Sequence, residues 1–262
     1  MKRYINIYKS LLKINLDTLM AYRLNFINNM FSSAAWGIFS VVSILILTSR
    51  TQSIFGWRRE DIILLTACYS LAIGIFHAVF SWNFHRMGRV IFLGELDQIL
   101  LKPLDSQFSL SLWLFNYSSL VRILLGIGLI LYLIYTVGYS ISLIGIVAFF
   151  LYLLVGIITL YGIWFLVCSL LIWIPEASNI VELMYSVSGL SRYPPEMYSR
   201  LSGYLFSILL PLLFILVVPV KILIGKPNPV EIFSVTIVCI VSIVISRLFW
   251  KFALRHYSSA GG

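Results

Sequence analysis

Long uninterrupted apolar runs separated by short polar stretches set the pattern of this chain. A helix rises about 1.5 Å per residue, so roughly 20 apolar residues in a row cross the hydrocarbon core of a bilayer. Runs of this kind cover Asn25 to Thr48, Ile62 to Trp82, Leu112 to Tyr135, Ile141 to Ile174 and Ile232 to Trp250. They are continuous rather than alternating with period two, which excludes a transmembrane barrel. The pattern predicts an all-α polytopic membrane protein whose single transmembrane domain covers residues 1–262.

The start of the chain has a different period. Ile5, Tyr8, Leu12, Leu16 and Leu19 fall on one helical face, and Lys2, Asn6, Lys9, Lys13 and Asp17 on the opposite one. Residues 1–24 are therefore expected to form an amphipathic helix lying in the cytoplasmic interface. Bases and asparagines run through it with no compact apolar stretch before a small-residue cleavage site, so no signal peptide is expected.

Between Ala177 and Lys226 the pattern leaves two topologies open. In one, Leu201 to Val220 is the fifth span. In the other, Ala177 to Leu190 is a short fifth span, and residues 193–225, broken by Pro211 and Pro219, re-enter the membrane from the outer side. Both give six spans with both termini on one side.

Composition agrees with the pattern. The chain is 60% hydrophobic and 11% charged, with a mean hydropathy of +0.97. A soluble domain is about half apolar and about a quarter charged. The net charge of +9 comes from 19 Lys and Arg against 10 Asp and Glu. These bases cluster at the ends of apolar runs, so topology and anionic headgroups account for them without a nucleic-acid partner. By the positive-inside rule, both topologies place the N- and C-termini in the cytoplasm. Several tryptophans, Trp57, Trp82, Trp113, Trp173 and Trp250, sit near span ends as an interfacial belt would.

Catalytic chemistry is not indicated. The spans hold almost no ionisable groups, and Cys68, Cys168 and Cys239 lie in separate runs without partners at ligand spacing. No metal site, cofactor or enzyme activity is expected on this chain. Gly225-Lys226 is followed by Pro227, so there is no glycine-rich phosphate loop. Four polar residues in spans remain as substrate-path candidates: Asn28, Asn29, His77 and Arg122. For Arg122 the alternative is snorkelling to the cytoplasmic interface. For the others it is bonding to a neighbouring helix.

The polar stretch over residues 83–110 is unusual. Arg86 and Arg89 lie one helical turn apart, Gly94 permits a bend, Glu95 and Asp97 offer carboxylates, and Lys102-Pro103 stops a second short helix. The run Gly94-Glu95-Leu96-Asp97-Gln98-Ile99-Leu100-Leu101-Lys102-Pro103-Leu104 resembles the signature after the second span of type-2 ABC exporter permeases. Tyr193-Pro194-Pro195, followed by a Leu-rich run with Pro211, is similar to the outer pattern after their fifth span.

The resemblance implies a six-span permease that pairs with a second permease, identical or related, and with cytoplasmic ABC ATPase subunits that bind ATP and Mg²⁺. It implies a coupling helix in residues 83–110, with Arg86, Arg89, Gly94, Glu95, Asp97, Leu101 and Pro103 as the coupling residues. Tyr193, Pro194 and Pro211 become outer-gate candidates. It favours the re-entrant topology and a prokaryotic inner membrane. Glu196, directly after Tyr193 to Pro195, departs from the family's outer pattern. Two other classes stay open: an ion-coupled secondary transporter, which needs intramembrane acids the spans lack, and a membrane scaffold.

Overall fold

A computed structural model of the protein describes residues 2–50, 53–139, 141–177, 179–198 and 215–258. Among these residues five helices are long and apolar enough to cross a membrane: Arg23–Leu47, Arg59–Phe92, Tyr117–Val137, Leu143–Ile172 and Pro229–His256. The fold among the described residues is all-α apart from a two-stranded hairpin, Ser53–Ile54 (β1) with Trp57–Arg58 (β2).

The chain begins with α1 (Lys2–Ala21), which turns at Tyr22 into α2 (Arg23–Leu47). The polar side expected for α1, Lys2, Asn6, Lys9, Lys13 and Asp17, is exposed. The stripe that touches the rest of the protein is shifted from the expected apolar one. Tyr4 stands edge-on to Phe108 at 4.8 Å. Leu11 is buried, and Asn15 donates to the Trp113 carbonyl at 3.0 Å. Ile5 and Leu16 remain 50% and 43% exposed, which leaves them for the membrane interface.

After the hairpin, α3 (Arg59–Phe76), a π-helical turn (His77–Ser81) and α4 (Trp82–Phe92) run as one helix of 34 residues, about 51 Å long. It is the centre of the bundle. Of its most apolar stretch 83% is buried inside the protein, against 17% to 33% for the other four. Hydropathy ended this span at Trp82. The helix continues because Asn83, Phe84, Met87, Val90 and Ile91 still face inward, and only His85, Arg89 and the terminal Phe92 are exposed.

A turn leads to α5 (Leu96–Leu100) and α6 (Ser106–Ser111), then to α7 (Leu120–Val137). α7 packs along α3 at Gly126, where a Cβ would lie 2.7 Å from the Leu71 nitrogen. Only glycine permits that backbone approach, the way membrane helices pack when small residues line the contact. α8 (Leu143–Cys168) follows, its first turn capped by the Ser142 hydroxyl, which accepts from the Gly145 N–H at 3.0 Å. The last helix, α11 (Pro229–His256), packs on α8, with Trp250 edge-on to Phe165 at 5.4 Å.

Between these lie α9 (Ile180–Ser188), a 3₁₀ turn (Gly189–Arg192) and a helix over residues 215–223 (α10). Glu182 lies 3.9 Å from His85 near the loop end of the central helix. Glu196 accepts from Trp57 Nε1 at 3.0 Å at the hairpin end. Residues 182–196 therefore run along the central helix from one end towards the other. Lys221, near the end of α10, lies 5.9 Å from the Trp57 ring, so the chain is at the hairpin end again before α11 starts. Residues 201–214, which carry most of the alternative fifth span, and Pro211 among them, lie outside the described residues.

Candidate functional site

The loop after the central helix is built on a reversal at Gly94, whose φ of 72° lies in the left-handed region that glycine enters without a steric cost. α5 then turns Leu96 and Ile99 into the core and leaves Glu95, Gln98, Leu100 and Leu101 outside. Phe92, Leu93, Leu100 and Leu101 form an exposed apolar patch at the tip, with Leu101 85% exposed. The exposed Arg89 and Glu95 flank it, and Pro103 follows, also exposed. Asp97 sits nearer the body of the protein, beside Tyr257 after α11. Burial and the Asp97 charge hold that phenol above its ordinary value.

The far end of the loop is fastened to three other elements. Asp105 caps α6 by accepting from the Phe108 N–H at 3.1 Å, and its own N–H donates to the Tyr4 hydroxyl at 3.2 Å. Arg247 of α11 pairs with both Asp105 oxygens and donates to Gln107 Oε1 at 3.1 Å. Trp250 Nε1 donates to the Ser106 hydroxyl at 3.0 Å. Gln107 Nε2 in turn donates to the Tyr161 hydroxyl of α8 at 3.1 Å. Burial works against the Asp105 charge, but Arg247 and the Phe108 and Gln107 N–H groups hold the carboxyl below the usual carboxylate range.

Trp113 lies between two bases of this region. The Arg86 guanidinium lies 5.3 Å and the Lys102 ammonium 4.6 Å from its ring centre. The adjacent buried Asn83 closes a reciprocal pair with Leu114: its amide nitrogen donates to the Leu114 carbonyl and its oxygen accepts the Leu114 N–H, both at 2.8 Å. The π turn supplies a further join, the Ala78 carbonyl accepting from the Asn116 N–H at 2.8 Å. A π turn leaves helical carbonyls without their usual partners, and here the following loop takes one up.

The other site candidates are dispersed. Asn28 is exposed and Asn29 half-buried on α2. His77 opens the π turn and meets the Tyr185 ring edge-on at 5.0 Å. Arg122, only 7% exposed, points into the protein and lies 5.5 Å over the Tyr69 ring. At the hairpin end, Tyr193 is half-buried beneath the Arg192 guanidinium, 4.9 Å from the ring centre, and Pro194 is buried.

That end also holds polar pairs the sequence did not single out. Asp61 accepts from the Tyr139 hydroxyl at 2.8 Å and from Arg58 Nε at 3.3 Å. Burial first, then the Asp61 carboxylate, pushes the Tyr139 phenol well up. Lys221 pairs with Glu231 at 2.6 Å. Among the described residues no group of three or more His, Cys, Asp or Glu could hold a metal ion.

The loop expected over residues 83–110 thus begins only after Phe92, and most of its fastenings were not legible in the sequence. Asp105 carried a readable signal, a short acid before Ser-Gln-Phe at an N-cap position. Tyr4, Tyr161 and Arg247 carried none, since each acts through a partner some fifty to more than a hundred residues away.

The family model described as "ABC-2 family transporter protein" matches residues 34–261. No curated protein and no solved structure matches the chain.

Proposed function

The chain belongs to the ABC-2 family of transporter proteins, and on that premise we propose that it is the permease of an ATP-driven exporter whose loop over residues 93–104 seats on a separate cytoplasmic ATPase. The observation that carries this reading is the shape of the loop. An apolar patch of Phe92, Leu93, Leu100 and Leu101 faces outward with charges at its rim, while Leu96 and Ile99 hold it to the body. Exposed apolar clusters with a polar rim are the mark of a protein-docking surface.

ATP and Mg²⁺ bind to the ATPase subunit, and two permeases, identical or related, enclose the path. The Asp105, Ser106 and Gln107 bonds to α1, α8 and α11 make the loop a lever: closure of the ATPases displaces the tip, and three membrane elements move with its base. Ala177 to Leu190 is the short fifth crossing and the segment that begins at Tyr193 is the outer re-entrant one, a reading supported by Glu182 lying near His85 and by Glu196 and Lys221 both lying by Trp57. In this reading α1, the loop and the end of α11 face the cytoplasm, which the positive-inside rule supports, and the membrane is a prokaryotic inner membrane, which the family resemblance supports.

The test is affinity purification of the chain in mild detergent, with companions identified by mass spectrometry. An ABC ATPase is expected with the wild type and lost in Leu101→Asp and in Glu95→Lys with Asp97→Lys. No ATPase in any sample would sink the reading.

A further inference from the structure

Two guanidinium groups inside the bundle lack a counter-charge. Arg122 on α7 is 7% exposed, and its Nε has no hydrogen-bond partner among the described residues; the Nε of Arg192, at the end of the 3₁₀ turn after α9, is likewise buried and without one. Tyr69 of the central helix joins the two places: Arg122 sits over its ring at 5.5 Å, and its hydroxyl lies 3.9 Å from where a Cβ on Gly189 would be.

All ten acids of the sequence lie among the described residues, and none of the ion pairs there involves Arg122 or Arg192. The neighbouring residues 199–214 contain no acid by sequence. Aromatic faces attract these cations but do not neutralise them. A buried Arg122 beside a half-buried Arg192, with no carboxylate paired to either, is costly, and intramembrane ionisable groups are kept for function.

We infer that Arg122 and Arg192 form a binding site for a phosphate-class oxyanion carried by an amphipathic cargo, with Tyr69 as the platform between them. Arginine suits this role because its planar fork donates to two oxygens of a phosphate at once. Tyr69, Ser188 and Ser191 also line a narrow cleft of about 10 Å³ between the central helix, α8 and α10, scarcely room for one water. The anion therefore enters when these helices have moved apart, as alternating access requires. The inference rests on the permease reading for what the site does, but not for whether it binds.

The test uses the purified full chain, delipidated in detergent and offered equal amounts of phosphatidic acid and phosphatidylcholine, with retained lipid read by native mass spectrometry. Wild type is expected to keep phosphatidic acid in at least about tenfold preference, the range that charge-assisted hydrogen bonds supply. Arg122→Gln and Arg192→Gln should bring this to near parity, and Arg122→Lys should keep most of it. Arg3→Gln, on the exposed face of α1, should change nothing. Competition by inorganic phosphate separates the two sources: displacement means that the oxyanion alone is recognised, and lipid binding that phosphate does not disturb means that acyl chains contribute.

Melting temperatures are read alongside. If Arg122→Gln fails to fold, the half-buried Arg192 carries the test alone. Equal retention in wild type and Arg192→Gln, or an equal loss in Arg3→Gln, would overturn the site. ATPase association is scored separately, so a chain that binds the lipid but no ATPase refutes the permease reading and leaves the site standing.

Discussion

Arg247, near the end of the last membrane helix, holds both carboxylate oxygens of Asp105 at the base of the loop, through Nη1 to Oδ1 at 3.0 Å and through Nη2 to Oδ2. The pair joins residues 142 positions apart in the sequence. A bidentate pair resists rotation as well as separation, so it transmits displacement better than a single bond.

The strength of this joint is measurable. Both side chains are about a third exposed, 38% for Arg247 and 32% for Asp105, so solvent screening limits their coupling to about 1 kcal/mol. A double-mutant cycle with Asp105→Asn and Arg247→Gln, read by SDS unfolding in mixed micelles, should return that value. Additive single effects would show that the loop base is held by Trp250 and Tyr4 instead.

The same pair sets a pH dependence. The folded protein holds the Asp105 carboxyl below its unfolded value of about 3.9, so its stabilisation is fully present above that value and is lost as pH falls through the depressed one. The unfolding difference between wild type and Asp105→Asn should be constant above about pH 5 and shrink towards pH 3. A difference that grows on acidification would contradict this assignment.

Asn83 is expected to matter more than its place at the edge of a polar stretch suggests. Asn83→Leu leaves the Leu114 N–H and carbonyl without their partner, at a cost of about 2–4 kcal/mol. The midpoint of SDS unfolding checks it, and a change below about 0.5 kcal/mol would mean that the loop finds other partners.

Gly126 and Gly128 form a matched pair of probes. A side chain at Gly126 meets the Leu71 backbone at 2.7 Å, whereas nothing lies within 4 Å of one at Gly128. Gly126→Leu should lower stability by about 1–3 kcal/mol or more by forcing α7 off the central helix. Gly128→Leu should be near neutral. Equal effects would place the α3–α7 contact elsewhere.

The apolar runs made five long membrane helices legible, because a bilayer accepts little besides a continuous helix of sufficient length. The polar punctuation made the loop legible, since Gly94 and Pro103 act on the local backbone whatever surrounds them. Even the interfacial helix could be drawn from its period, although the face that docks on Phe108 and Trp113 is shifted from the most apolar one. In a membrane the most apolar face is free to meet lipid, so hydrophobicity does not say which side meets protein.

The sequence by itself therefore determined the all-α membrane class, five long apolar helices and the turn at Gly94, which follow from local composition and backbone chemistry, while the count of six crossings rested on a segment outside the described residues. Only the tertiary structure decided that the second long helix is the centre of the bundle, and that Asp105 meets Arg247. It alone decided that Arg122 turns inward towards Tyr69 rather than out to the headgroups. These depend on close packing and on pairing between groups far apart in the chain, and lipid is as apolar as a neighbouring helix, so no run of residues records which of the two a side chain faces.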